Sequence, residues 1–441
     1  MQRSNETPVP LALEKREKRS TSDGAHRASL PDETLRKFSC LIGPSGIVED
    51  VKAPYRDPCN LVHVAVALLR SQGTWKGLRA TCVGKGMTEA QARASALGEA
   101  VERYSGIFRG DEIRIKATYR ELSSKAIHPN VCMNFSARQY QQREERNRRD
   151  ADFNWVPETF DEDREIEWTP VWSLSEEQFK YMATALCYFG YPFDQRHDFC
   201  RPDSNGNAAG ACLEEAILQG FLEVVERDSV SLWWYSRARR PRVELASFGE
   251  RYFEALEELY RILGRKMYVL DIRADYPIPT FVAVSYREET EKDLLLGFGA
   301  HLEPRIAIGR ALAEMNQFLA EAITEKNPRF FVGEPFDKTF ILPDPSAPAK
   351  TSRNYTRLDT EDLREDVRIC VQLARQRGME TLVLEQTRSD VAMPAVKVVV
   401  PGMRPWWARF APGRLYDSPV AAEWRTVQLT EEQLNPCHLI I

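Results

Sequence analysis

One short string occurs twice, far apart, in residues 84–107 (GKGMTEAQARASALGEAVERYSGI) and 205–228 (NGNAAGACLEEAILQGFLEVVERD): EAVER in the first, EVVER in the second. In the first stretch Thr88 reads as a helix cap, with Gln91 three residues on completing a capping box. The alanines and the absence of Pro predict about five turns, weakest at Gly98 and ending at Gly106. At 3.6 residues per turn, Ser95, Glu99, Glu102 and Arg103 share a face with Gln91, opposite Leu97, Val101 and Tyr104. In the second stretch Glu215, Gln219, Glu223 and Glu226 share a face, with Arg227 at its edge and Ile217, Phe221, Val224 and Val225 turned away. One such helix alone reads as a solvated face with ordinary i, i+4 pairs. Two of them, each behind a Gly-containing polar segment, predict a clustered site. Clustered carboxylates repel unless cations sit among them, and hard oxygen ligands suit Mg²⁺.

The chain has 441 residues, 43% hydrophobic and 28% charged, as in soluble globular proteins, and its length alone suggests two or three domains. A formal net charge of −5 argues against broad nucleic-acid or anionic-membrane binding. With neither an apolar run of about 18 residues nor a signal-peptide h-region, a cytoplasmic protein is expected. The nine cysteines are scattered, and the pattern suits reduced thiols without structural zinc.

Along the chain, residues 1–37, centred on EKREKRSTSDG, read as a disordered tail, and 38–441 as the folded domain. FSCLIGPSGIVEDV predicts a strand, a turn and a strand; residues 62–69 predict a buried strand, and LRATCVGKG a strand leading into the first helix. Lys85, between Gly84 and Gly86 at that junction, can approach an anion closely. GxxxxGK[ST] is absent, so this is not a P-loop of the Walker type. Residues 129–168 read as solvated helix and loop, TPVWSL as a strand, and YMATALCYFGYPF as core. Asn205 lies in a polar turn, and SLWWYSR reads as an aromatic packing surface after the second helix. KMYVLDI and IPTFVAVSY are strands by alternation, and TLVLEQT and PAVKVVV a strand pair. A third helix follows GFGAHLE and carries Arg310, Glu314 and Gln317 on one face. The Pro- and aromatic-rich end is expected to dock back on the domain.

Taken together, GKG, SALGEAVERY, SNGNAAGACLEEAILQGFLEVVERD, GFGAHLEPRIAIGRALAEMNQ and PGMRPWWARFAPGRLYD resemble the YcaO superfamily. The chain is most similar to its azoline-forming branch, the cyclodehydratase D proteins of thiazole/oxazole-modified peptide (microcin) biosynthesis, from about Leu41 onward. The resemblance implies an α/β (α+β) YcaO-type fold with an internal pseudo-repeat, sheets flanked by helices, and an ATP site without a P-loop. It implies Mg²⁺ held by Glu99, Glu102, Glu223 and Glu226, and ATP contacted by Lys85, Ser95, Arg103, Asn205, Glu215, Arg310, Glu314 and Gln317. Arg103 and Arg227 would neutralise charge during phosphoryl transfer. The branch often ends in a Pro-x-Pro-x-Pro-like tail; this chain ends at Ile441, whose carboxylate would take that place as a base or positioning group. The implied reaction is ATP-dependent conversion of Cys, Ser or Thr in a ribosomal precursor peptide to thiazoline or oxazoline. Implied partners are that peptide, a separate ubiquitin-activating-like (ThiF-like) leader-binding protein, a flavin dehydrogenase in the same complex, and a second copy of the chain in a homodimer. Thioamide or amidine formation, or a non-catalytic ATP-binding scaffold, are the alternatives.

Overall fold

Twice a three-stranded antiparallel unit leads into a long helix with a glutamate that faces back onto the last strand. The computed structural model describes residues 7–19, 26–56, 59–70, 81–149, 154–192, 198–290, 292–323, 331–332 and 337–439. In chain order these form α1 (Pro31–Lys37), β1 (Val48–Arg56), β2 (His63–Leu69), β3 (Thr81–Gly86) and α2 (Glu89–Ser105). Next come β4 (Ile115–Ala117), several short helical turns, β5 (Ile166–Ser173), β6 (Gln178–Ala183), β7 (Asn207–Ala209), α3 (Leu213–Ser236) and α4 (Arg251–Ile262). Then follow β8 (Arg265–Asp271), β9 (Thr280–Arg287), β10 (Leu295–Ala300), α5 (Pro304–Ile323) and β11 (Phe331–Val332). The last elements are α6 (Leu363–Arg375), β12 (Leu382–Glu385), β13 (Ala395–Val399), α7 (Arg414–Ala421) and β14 (His438–Leu439).

Strands β1, β2 and β3 make one antiparallel meander and β8, β9 and β10 another. A larger sheet runs β4-β5-β12-β13-β7, with β6 also paired to β5. The mixed α and β architecture agrees with the expected fold class. Each meander hands its last strand to the helix that follows at backbone contact. A Cβ on Gly84 would lie 2.1 Å from Ala92 O, and one on Gly299 would lie 2.1 Å from Ala307 O. The structural repeat therefore pairs α2 with α5, whereas the repeated EAVER and EVVER strings pair α2 with α3.

Three local expectations are corrected. Residues 7–19 and 26–37 do not form a disordered tail. Lys18, its side chain 2% exposed, pairs with Asp359 at 3.2 Å and Asp366 at 2.5 Å. Glu14 N donates to Glu214 and Arg16 N to Asp362, while Leu11, Leu13 and Ala28 pack on the core. The alternating charge that suggested disorder finds its complement in the acidic residues around α6. FSCLIG contains a short 3₁₀ turn (Ser39–Leu41) in place of the first expected strand. Helix α3 runs on through SLWWYS, and Trp233, Trp234 and Tyr235 are fully buried inside it. The end of the chain docks as expected: β14 pairs with β11, and Trp234 Nε1 donates to Cys437 O at 2.7 Å.

Candidate active site

Helix α2 begins where the sequence says. The Thr88 hydroxyl accepts from Gln91 N at 3.2 Å, and Gln91 Oε1 reaches Met87 N at 2.8 Å, one residue beyond the capping-box partner. This start fixes the rotation of the helix, so Glu99 meets β3. Glu99 Oε2 accepts from Val83 N at 2.7 Å, and its other oxygen pairs with Arg103, which also donates to Thr81 O at 2.8 Å. Burial raises the Glu99 carboxyl above its ordinary pKa despite Arg103. Glu102 is raised further, first by burial and then by the charges of Glu223 and Glu99, against Arg227 and Arg103. Glu102 and Glu223, from helices distant in sequence, therefore confront each other. Ser95 lies exposed at the N-terminal end of the same face.

Helix α3 supplies the centre. Glu223 Oε1 accepts from Gly206 N at 3.1 Å and pairs with Arg227 at 2.9 Å. The Arg227 guanidinium lies 4.2 Å from the Trp406 ring centre; its Nε and NH1 are buried and without a partner among the described residues. Asn205 Oδ1 is unpartnered in the same way. Glu226 Oε2 accepts from Ala300 N at 3.1 Å, and its carboxyl is pushed up to about 8, by burial first and by Glu314 next. Glu215 is engaged elsewhere: it accepts from Ala28 N at 2.8 Å and from Arg27 at 3.3 Å, anchoring the N-terminal strap.

Helix α5 closes the group. Glu314 accepts from Phe298 N and from Lys85 Nζ, each at 2.6 Å, so the cation of the first meander reaches the carboxylate of the second. Arg310 donates to Ala300 O at 3.2 Å and to Gln219 Oε1. Burial, and then the neighbouring Arg27 charge, lower its pKa to about 9. Gln317 is half-buried one turn further along.

Lys85, Glu99, Glu102, Arg103, Glu223, Glu226, Arg227, Arg310 and Glu314 are thus joined by hydrogen bonds or mutual charge effects. Ser95 and Gln317 sit at the margin, Glu215 is bound to the strap, and Ile441 lies outside the described residues. Sequence reasoning missed Arg27, hidden in a segment that reads as disordered. It also missed the role of Trp406, whose signal was the PWW run.

The group sets five carboxyls (Glu99, Glu102, Glu223, Glu226 and Glu314) against four cations (Lys85, Arg103, Arg227 and Arg310), most of these carboxyls resist ionisation without further positive charge, yet Arg227 keeps unsatisfied donors. That combination suits a polyanion arriving with divalent cations. Among the described residues no three carboxylate, imidazole or thiolate groups converge as a ready metal cage. Mg²⁺ typically keeps several waters and takes one or two carboxylates plus phosphate oxygens, so the donor set fits a magnesium ion delivered with a polyphosphate.

A family model described as "YcaO cyclodehydratase, ATP-ad Mg2+-binding" matches residues 83–404. A structure of a heterocyclase in complex with substrate and cofactor superposes with a TM-score of 0.90 and 48% identity, covering 97% of this chain and 59% of that one. The heterocyclase TruD gives 0.78 and 45%, covering 97% and 55%. An uncharacterised protein of Methanothermobacter thermautotrophicus is 27% identical over 401 residues, 86% of this chain and 94% of its own. The chain thus spans a little over half the length of the two heterocyclases. With the model covering most of the chain and all three glutamate helices, the protein belongs to the YcaO family of ATP- and Mg²⁺-binding cyclodehydratases.

Proposed function

We propose that the chain is an ATP-dependent cyclodehydratase that converts Cys, Ser or Thr of a ribosomal precursor peptide to thiazoline or oxazoline. One observation carries the reading: carboxylates from α2, α3 and α5 repel one another in the cluster that also holds the unsatisfied donors of Arg227. In this reaction the side chain of the substrate residue attacks the preceding backbone carbonyl, giving a five-membered hemiorthoamide whose oxygen is a poor leaving group. Magnesium-bound ATP supplies the phosphoryl group that turns this oxygen into phosphate. The protein's part is alignment and charge neutralisation, which is most of what phosphoryl transfer requires.

Glu99, Glu102, Glu223 and Glu226 would hold the magnesium, and Lys85, Arg103, Arg227 and Arg310 the phosphates. Asn205, Glu314 and Gln317 would complete the nucleotide's polar surroundings, with Glu215 and Ser95 at its edge. A ubiquitin-activating-like module would bind the leader of the peptide, and a flavin dehydrogenase would oxidise the azoline afterwards.

The test mixes the chain and its leader-binding partner with precursor peptide, ATP and Mg²⁺, and follows peptide mass and phosphate. Loss of one water per modified residue, matched by phosphate, supports the proposal. A sulfur-for-oxygen gain would point to thioamide formation, and nucleotide binding without peptide change to a scaffold.

A further inference from the structure

Lys397 lies in the middle of β13, 5% exposed, between the fully buried Val396 and Val398. A strand otherwise built of valines does not need a lysine to fold, and burying an ammonium is costly unless hydrogen bonds compensate. The compensation comes from one loop. Lys397 Nζ donates to Asp203 O at 2.7 Å, Asn205 O at 3.1 Å and Asn207 Oδ1 at 3.3 Å, with Asp203 Oδ1 at 3.4 Å.

That loop is the one that serves Glu223. Gly206 N donates to Glu223, and Gly206 O accepts from Val398 N at 2.8 Å. Gly206 has φ +76°, and a Cβ there would lie 2.0 Å from Val398 O, so the loop is pressed onto β13 with no slack. A Cβ on Gly220 of α3 would lie 2.7 Å from Gly206 O, so the helix presses from the other side. Within this clamp the Asn205 backbone carbonyl is taken by Lys397, while its side-chain Oδ1 is buried with no partner among the described residues. A buried polar group left unpaired in so constrained a loop calls for a partner from outside the chain.

We infer that Lys397 is a positioning residue: it holds loop 203–207 so that the Asn205 carboxamide and the Gly206-bound Glu223 are presented to the nucleotide. The inference rests on the nucleotide reading of the site given above. Lys397 acts through Asn205 and Glu223 and touches no reacting atom itself.

The test is Lys397→Met in the full chain, measured three ways. Without nucleotide, hydrogen exchange at the Gly206 amide should quicken about tenfold while thermal unfolding stays cooperative. Calorimetric affinity for a non-hydrolysable ATP analogue with Mg²⁺ should fall about tenfold. KM for ATP should rise by a similar factor, with kcat at saturating ATP nearly unchanged. Wild-type affinity in the variant overturns the inference even if exchange quickens, because the lysine would then only staple the loop. If Lys397→Met does not fold, Asp203→Ala at the half-exposed end of the loop removes the acceptor of Asn205 N at 3.0 Å. It should weaken analogue binding about threefold, and unchanged binding overturns the inference. Failure of the wild type itself to bind the analogue would overturn the nucleotide reading, and the inference with it.

Discussion

The two meander-plus-helix units share a scaffold and differ in chemistry. In each, a glycine in the third strand lets the following helix touch the strand's backbone, and the residue before that glycine donates its N–H to a glutamate on that helix. Val83 N reaches Glu99 at 2.7 Å, and Phe298 N reaches Glu314 at 2.6 Å. The second carboxylate oxygen separates the units. That of Glu99 is answered by Arg103 on its own helix, whereas that of Glu314 is answered by Lys85 of the other unit. Ser95, exposed in the first unit, is matched in sequence spacing by Arg310, which is partly buried and hydrogen-bonded in the second. Helix α3 belongs to neither unit: it packs on β13, α6 and α7, and its glutamates are tied to the 203–207 loop, to β10 and to the N-terminal strap. The repeat thus fixes where carboxylates stand, and the substitutions between its copies decide which of them reach across the site.

The largest effects are expected at the carboxylates that face one another between α2 and α3 and between α3 and α5. Glu102→Gln or Glu226→Gln should lower ATP turnover by about 10³-fold or more, followed by phosphate release. The melting temperature should stay level or rise, because the amide replaces a carboxyl that folding forces to take up a proton at neutral pH. Loss of activity together with a lower melting temperature would mean the glutamates serve folding. Next, Gly84→Ala and Gly299→Ala should each destabilise the chain by about 3–4 kcal/mol, since neither backbone has room for a methyl group. Denaturant titration showing one of them harmless would deny that the units are equivalent. Lys85→Met should then cost about 10²-fold in kcat/KM for ATP, against about tenfold for Arg103→Met, because Lys85 joins the units and Arg103 acts within one. The reverse order would show that the Lys85–Glu314 contact does not link the two units in function.

The smallest effect concerns the strap that steadies α3. Burial would raise the Asp359 carboxyl, but hydrogen bonds from His26 and Arg357 and the charge of Lys18 outweigh it and hold the group well below the carboxylate range. A carboxylate depressed in the folded state stabilises above its unfolded value of about 4 and loses that contribution as the pH falls below it. The stability gap between the wild type and Asp359→Asn, measured by urea titration, should therefore be full at pH 7 and shrink below about pH 4. A gap independent of pH would show that the ionised form of Asp359 does not hold the strap.

Much of this was legible in the sequence where one segment carries its own signal. Thr88 and Gly106 bound α2, an apolar run marks β2, alternation marks β8 and β9, and helical spacing groups Glu99 with Glu102 and Glu223 with Glu226. What stayed hidden depends on partners far away in the chain. The strap looks like solvated charge until Asp359 and Asp366 are brought beside Lys18. SLWWYSR reads correctly as a packing run but is placed after the helix, because nothing local shows that the helix carries Trp233 and Trp234 on into the core. The true mark of the repeat is one glycine, the first of GKG and the last of GFG, which is too little to compete with two ExxER matches. PAVKVVV reads as a strand without marking out Lys397, and only the fold reveals the loop it grips.

The Lys85–Glu314 contact has one more consequence. On the proposed nucleotide reading, a phosphate reaching Lys85 would not meet a free cation: it would have to displace a carboxylate that already neutralises the lysine at 2.6 Å. Only a ligand whose several charges and accompanying metal engage both partners at once gains from the exchange, so a solitary inorganic anion competes poorly. The Lys85–Glu314 pair would thereby act as a filter that favours a ligand bringing its own metal over one bringing charge alone.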